Sequence, residues 1–473
     1  NRADLDDFRV GQDGRELGYA FVVTNPNEGH AVENSQYQVA AYDAAGTVVK
    51  TGSGYIDLIL PEQALGVGGD MYVDEGIFVD RIEVQVSKGT AVASERIPFF
   101  ETESVTYQAG ESFSYARGVV SSPYSKDVSN LRVSAILYDA SGEIIGGGYT
   151  YLNFVLANSS TGIEVPVTCN GTVASVELYP TLSGLSTLTE SDQRPAGAKN
   201  LILVKQGFGQ DDRSAGFGMV IENPNSGFVV ENTEYHVTAF AADGSVLDVE
   251  EGYIKVVLPT EVLGVGSDLF MDEGVIIDHM EIQIKTGEFE TSDPIPLFAT
   301  ENTVYRSGMF SSDVTGVVVS PYTKDITDLR VSAIVYDAAG EIIGGGFTFL
   351  NFVLADSSTG VEVSVTSAGA VASVELYPTL SGLSVLTESD QRPTGAENLV
   401  LAKQGFGQDG QSVGFGMIIE NPNVGFAIED TQYHLTAFAA DGSVVDVEEG
   451  YIEVILPSQV VGMGNDLYME DEV

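Results

Sequence analysis

A chain of 473 residues is too long for one hydrophobic core, and about three to five domains are expected of it. Its 69 acidic and 21 basic residues leave a formal charge of -48, which excludes a nucleic-acid binder, for want of any Lys/Arg cluster, and argues against an anionic lipid surface. Hydrophobic residues make up 43%, ordinary for folded protein, and no apolar run reaches the roughly 18 residues that span a bilayer, so neither disorder nor membrane insertion is expected. Self-repulsion on this scale opposes compaction unless ions screen it, which fits salty or calcium-bearing surroundings outside the cell.

In chain order, the first recognisable element is "RVGQDG" at 9–14, the polar turn of a hairpin. Asn25-Pro26-Asn27 follows, where Pro fixes φ and the flanking Asn side chains bond backbone groups at a corner between strands. The "YQVAAYD" run sets Tyr37, Val39 and Ala41 on one face, the alternation of a strand. Leu60-Pro61 breaks it, and "LGVGGD" at 65–70 reads as a glycine-rich bend. Further on, "LRVSAILYD" places Leu131, Val133, Ala135 and Leu137 on one face and Arg132, Ser134 and Tyr138 on the other, a half-buried strand. The Asp139-to-Gly142 turn after it is hairpin chemistry, because Gly accepts positive φ and Asp bonds its own backbone.

These phrases recur. Pro26, Pro224 and Pro422 are spaced 198 apart, as are Pro123 and Pro321 of a related but distinct phrase, so the long period holds two domain types, A and B. With about seven strands per unit the expected fold is all-β: tandem immunoglobulin- or fibronectin-like sandwiches in a linear array, A-B-A-B-A. The expected boundaries are 1–102, 103–197, 198–298, 299–395 and 396–473. The last unit stops before the counterpart of "VIIDHMEIQIKTGEFETSDPIPLF" at 275–298, so it is read as lacking C-terminal strands. Two explanations are weighed: a window on a longer chain of the same repeats, or donation of a strand by a neighbouring copy, which would join subunits into a filament.

A strand ending in Leu-Tyr-Asp or Val-Tyr-Asp, "AILYD" at 135–139 and "AIVYD" at 333–337, followed by a small-residue turn, resembles the FxLYD family of bacterial and archaeal surface domains, with Ala135 and Ala333 where that family has Phe. The upstream Asn-Pro-Asn with a later "Y.V.AY" strand is similar to the immunoglobulin-like water-stress domains of the late-embryogenesis group. The resemblance implies a secreted or surface-anchored sandwich without catalytic chemistry, and it carries over no site residues.

No catalytic, cofactor-binding or metal residue is assigned. The chain lacks H-E-x-x-H and any Cys-His pairing. His236 and His434, where the first A unit has Gln38, are read as solvated residues on an outward strand position, and His30 and His279 likewise as solvated. The "GFGQDG" of Gly405, Gly407 and Gly410 matches a phosphate loop, but a strand and not a helix is expected to follow, so it is read as a hairpin turn. Cys169, replaced by Ser367 one repeat later, is read as a small buried residue, the alternative being a bridge between chains. Calcium is the one cofactor weighed: the bends at 68–76, 266–274 and 464–472 carry acids such as Asp70, Asp74 and Glu75, against the plainer reading of solvated loops. Asn158 and Asn170 head N-glycosylation sequons.

The expectation is thus a non-enzymatic, extracellular or cell-surface structural repeat protein, a stalk or filament subunit whose partners are further copies of its own repeats. The alternative is an extracellular binding or adhesion protein recognising carbohydrate or a surface protein, a reading that clustered exposed aromatics would favour and the absence of Trp weakens.

Overall fold

The computed structural model describes residues 5–95, 97–110, 113–191, 193–308 and 311–468, and it is all-β, a tandem series of immunoglobulin-like sandwiches. The first A sandwich comprises β1 (Leu5–Asp13), β2 (Glu16–Thr24), β3 (His30–Tyr42), β4 (Val48–Ile59), β5 (Ala64–Tyr72), β6 (Arg81–Val86) and β7 (Thr90–Ala93). The first B sandwich comprises β8 (Glu101–Gln108), β9 (Ser114–Ser121), β10 (Asp127–Tyr138), β11 (Ile144–Val155), β12 (Ser160–Cys169), β13 (Ser175–Thr181) and β14 (Thr187–Thr189). In the second A sandwich the strands are β15 (Ile202–Asp211), β16 (Ser214–Glu222), β17 (Phe228–Phe240), β18 (Val246–Val257), β19 (Val262–Phe270), β20 (His279–Lys285) and β21 (Glu288–Thr291). The second B sandwich has β22 (Ala299–Ser307), β23 (Ser312–Val319), β24 (Lys324–Tyr336), β25 (Ile342–Val353), β26 (Ser358–Ser367), β27 (Ser373–Thr379) and β28 (Val385–Glu388). The third A sandwich has β29 (Val400–Asp409), β30 (Ser412–Glu420), β31 (Ile428–Phe438), β32 (Val444–Ile455) and β33 (Val460–Tyr468). β8 begins at Glu101, slightly ahead of the expected boundary at 102/103, because it pairs with β9.

The chain divides into two compact units, one of residues 1–193, 235–252 and 276–285, the other of 194–234, 253–275 and 286–473. In the first, β1-β2-β5 form one antiparallel sheet and β4-β3-β6, with β7 also on β3, form the sheet that faces it. Leu17, Tyr19, Phe21 and Val23 point from β2 into a core shared with Tyr37, Val39, Ala41, Ile82 and Val84. The "LGVGGD" stretch is not a bend. It lies in β5, where Leu65 pairs with Val23 and Asp70 with Gly18, since glycine alternating with an apolar residue still presents one core-facing side.

In the B sandwich the two layers are one bent sheet, ordered β13-β10-β11-β12-β9-β8 with β14 on β10, turned at the corner where Gly146 and Gly147 pair with Cys169 and Thr168. Leu131, Val133, Ala135 and Leu137 fill its core as their alternation requires. The opposite face of β10 departs from expectation: Ser134 and Ile136 are as buried as the core positions, so the strand is covered on both sides. The Asp139-to-Gly142 turn forms as read, with Gly142 at φ 83° donating its amide to Asp139 O at 3.0 Å.

The second unit repeats this plan. β15-β16-β19 form the first sheet of the second A sandwich, and β22-β23-β26-β25-β24-β27, with β28 on β24, form the second B sandwich around Val331, Ala333, Leu350 and Val363. β29-β30-β33 and β31-β32 form the two sheets of the third A sandwich. Its core is small, with Val413, Phe415, Val445 and Leu467 buried.

The Asn-Pro-Asn corners explain why the same phrase is written three times. Asn223 is fully buried, and its side-chain amide donates to the carbonyls of Phe228, Val257 and Leu258 at 2.9, 3.1 and 3.0 Å. Its Oδ1 accepts the backbone amide of Asn225 at 3.1 Å, so one side chain satisfies backbone groups from three segments. Asn25 and Asn421 make the equivalent bonds, and Ser122 and Ser320 take the corner in the B sandwiches.

Candidate functional site

The feature with the most consequence is the outer face of each A sandwich's first sheet. On β2, Leu17, Tyr19, Phe21 and Val23 face the core, leaving Gly18, Ala20 and Val22 on the other side. Gly11 of β1 and Gly66 and Gly68 of β5 extend this side into a surface almost without side chains. The B sandwich lies directly on it. A Cβ added to Gly11, Gly18, Gly66 or Gly68 would come closer than 3.0 Å to Cys169, Gly147, Tyr179 or Gly148 respectively. Ala20, Ile136 and Ile144 form the buried apolar centre of the contact. The two sheets therefore meet backbone to backbone, tighter than the ~10 Å spacing of layers filled by side chains. Arg132 crosses the seam, donating from Nη2 to Gly68 O at 2.7 Å while its guanidinium lies 4.0 Å from the Tyr149 ring centre.

The second unit builds the same seam between β15-β16-β19 and β24-β25. Gly207, Gly209, Gly216 and Gly266 abut the backbone of Ile342, Ile343, Gly345 and Gly346. Val220 packs with Ile334, Tyr336 and Ile342, Arg330 donates to Gly266 O at 2.7 Å, and Lys205 donates to Gly340 O at 2.7 Å. Burial beside Glu375 pushes the Tyr336 hydroxyl up to about 12, and burial raises Tyr377 well above the ordinary phenol range. Both hydroxyls stay protonated and donate to Glu375.

A second kind of seam joins each B sandwich to the A strands that follow it within the same unit. In the first unit, Gly162 of β12 sits against Thr238 of β17, Thr161 donates to Gln283 Oε1 at 3.0 Å, and Lys285 donates to Ser129 Oγ at 2.9 Å. Phe154 meets the His236 ring edge to face, with centres 6.2 Å apart. In the second unit, Thr315 donates to Val444 O at 2.9 Å, Arg306 donates to Val445 O at 3.1 Å, and Phe352 meets His434 in the same edge-to-face manner.

This overturns the reading of His236 and His434 as solvated. Their side chains are 1% and 6% exposed, with Nδ1 against Glu251 Oε1 at 3.1 Å and Glu449 Oε1 at 2.8 Å, and both Nε2 atoms are buried with no hydrogen-bond partner among the described residues. The physical reason is that their strand face is covered by the preceding B sandwich. Gln38, at the same place in the first A sandwich, is exposed.

The remaining sequence candidates do not converge. Asp70, Asp74 and Glu75 are exposed, as are Asp268, Asp272 and Glu273; the third bend extends beyond the described residues after Tyr468. Among the described residues no group of three or more His, Cys, Asp or Glu side chains is placed to hold a metal ion. Cys169 is a half-buried free thiol, 3.6 Å from the Tyr107 hydroxyl, with its backbone forming part of the A–B seam. Asn158 and Asn170 are exposed. A strand, β30, follows "GFGQDG", yet Gly405 and Gly407 lie within β29 and not in its turn. That is the signal sequence reasoning missed: glycine at every second position of three adjacent strands, "GFG", "GFGM" and "GMGN", denotes a sheet face stripped for close approach.

No protein-family model matches the chain, and no curated protein does. Among solved structures it is similar to the native form of Escherichia coli alpha-2-macroglobulin, at 9% identity and TM-score 0.13 over 99% of this chain and 33% of that one. It is also similar to the same protein activated by porcine elastase, at 10% identity and TM-score 0.13 over 98% of this chain and 50% of that one. The chain thus spans between a third and a half of the length of these structures.

Proposed function

We propose that the chain is a secreted structural repeat protein without catalytic chemistry, a cell-surface stalk or a subunit of an extracellular filament in a saline setting, akin to the FxLYD-type surface domains it resembles. The observation that supports this is the glycine seam. Sandwiches joined backbone to backbone cannot hinge as sandwiches on free linkers do, and resistance to bending is what a spacer needs. The charge of -48 supports the saline setting, because screening by salt removes the repulsion that would otherwise oppose such close stacking. Antibody labelling of intact and permeabilised cells tests the location: label on intact cells is expected, and label confined to permeabilised cells overturns it. Sedimentation in native salt separates the two forms, a filament subunit polymerising by strand donation and a stalk staying discrete.

One observation favours the alternative of an adhesion protein. Tyr55, Tyr253 and Tyr451 are 63%, 64% and 66% exposed at the same position of each A sandwich, a repeated aromatic suited to carbohydrate or protein contact. Binding on a glycan array that Tyr55→Ala, Tyr253→Ala and Tyr451→Ala together abolish would support it.

A further inference from the structure

The first sheet of the third A sandwich carries the glycine face of the other two, and none of the described residues covers it. Gly405, Gly407, Gly414 and Gly462 stand where Gly207, Gly209, Gly216 and Gly264 stand one repeat earlier. A Cβ on any of the earlier four would collide with the second B sandwich; on the later four it would meet nothing within 4 Å. Ile418 is half-exposed where Val220 is 5% exposed, and Lys403 is exposed where Lys205 donates to Gly340 O. Glycine weakens a strand, so four of them at positions where a side chain would meet no obstacle are retained at a cost to this sheet taken alone.

We propose that this face is a docking surface whose occupant is a further B-type sandwich, seated through its Ile-Ile-Gly-Gly-Gly strand. The same face is occupied in that way twice in this molecule, by β10 and β11 on the first A sandwich and by β24 and β25 on the second. A second copy of this chain does not offer a match. The B sheets of a copy are already covered by its own A sheets, and its exposed β4 carries Lys50 and Thr51 where β11 has Gly146 and Gly147. The inference rests on the seam geometry and not on where the protein is located, so it stands or falls separately from the proposed function.

The test places a B sandwich within reach of the face. In the full chain with Cys169→Ser, the residue already present at this place in the second B sandwich, Ile418→Cys supplies a thiol on the face and Val220→Cys, in a separate variant, reports a covered equivalent. Val473 stands 198 positions after Val275, so residues 276–395 appended after Val473 continue the repeat; residues 276–298 alone are the control that adds strands but no B sandwich. Maleimide should label the thiol at 418 readily in the unextended and control chains, and at least about a hundredfold more slowly in the long extension, as at 220. Gly345→Glu in the appended copy should restore fast labelling. Equal labelling with both extensions, while the thiol at 220 stays protected, overturns the proposal. So does protection in the unextended chain that is lost on dilution, since a second copy would then be the occupant.

Discussion

A Cβ atom built on Gly18 of β2 would lie less than 3.0 Å from the carbonyl oxygen of Gly147 in β11. Two residues far apart in sequence thus hold two sandwiches at a distance that admits no side chain on either. The seam between A and B is a structural element in its own right, as specified by the sequence as either core.

Gly216 and Gly414 test the seam within one unit. Both precede Phe in the central strand of a first sheet, at equivalent positions of successive repeats. Alanine at 216 must displace the backbone of Thr366 and Gly345, whereas at 414 it meets open space. Gly216→Ala is expected to destabilise its sandwich pair by about 1–3 kcal/mol, as overpacking does, whereas Gly414→Ala should stabilise its own sandwich by about 0.5–1 kcal/mol, the amount by which glycine weakens an open strand relative to alanine. Hydrogen exchange of the β16 and β30 amides reads each effect locally, and equal costs at the two sites would contradict the close approach.

Much of the fold was legible because its causes are local. The period-two alternation of Tyr37, Val39 and Ala41, or of Leu131 through Leu137, identifies strands and their core faces without tertiary knowledge. The Asp-x-x-Gly turns are written in glycine's tolerance of positive φ. The misreadings share one origin, the assumption that each sandwich faces water. His236, Ser134 and Ile136 occupy non-core positions of their own sheets, and only a neighbouring sandwich makes those positions interior. The stretch 65–70, with Gly66, Gly68 and Gly69, reads as a bend in the sequence because glycine usually marks one, but a strand pressed against another backbone requires glycine for the opposite reason, absence of volume.

The buried asparagines carry a second prediction. Asn223→Ala would take the side-chain amide away from the Phe228, Val257 and Leu258 carbonyls, of which Leu258 O keeps the Glu261 amide at 3.1 Å, and would take Oδ1 away from the Asn225 amide, all in a dry corner. A loss of about 2–4 kcal/mol is expected, since each unsatisfied buried polar group costs about 1–3 kcal/mol and part of the set relaxes toward water. Ser320→Ala, which removes a single 3.3 Å bond to the Tyr322 amide, should cost about 1 kcal/mol or less. Denaturant unfolding of the two variants checks the order, and a serine cost equal to that of asparagine would refute the role given to the side-chain amide.

Salt supplies a third. With 69 acidic against 21 basic residues, raising NaCl from about 0.1 M to about 1 M shortens the screening length from about 10 Å to about 3 Å and weakens repulsion between surface carboxylates. The thermal midpoint should rise across that range, by more than sucrose of equal osmolality produces. An unchanged midpoint would mean that repulsion is not what the chain must overcome.

Glu261 gives the sharpest pH dependence. It is 8% exposed in the β18–β19 turn, its Oε2 accepts the Leu258 amide at 2.6 Å, and burial raises its carboxyl to about 7, against an ordinary value of 4.5. Because the folded form holds the proton more tightly, the stability this group contributes is complete below its unfolded value and is lost as pH rises through about 7. The window between the two values corresponds to about 3 kcal/mol. Gln63 and Gln459 occupy the same place in the other A sandwiches and accept the same backbone amide, from Leu60 and Leu456, without a charge. Glu261→Gln should therefore leave stability at pH 4 nearly unchanged and raise it by roughly 2–3 kcal/mol at pH 8. Urea unfolding of both proteins at the two pH values measures the difference between them, in which the contributions of all other acids cancel. A difference that does not grow with pH would mean that Glu261 is already ionised in the folded protein and is satisfied there by its backbone bond.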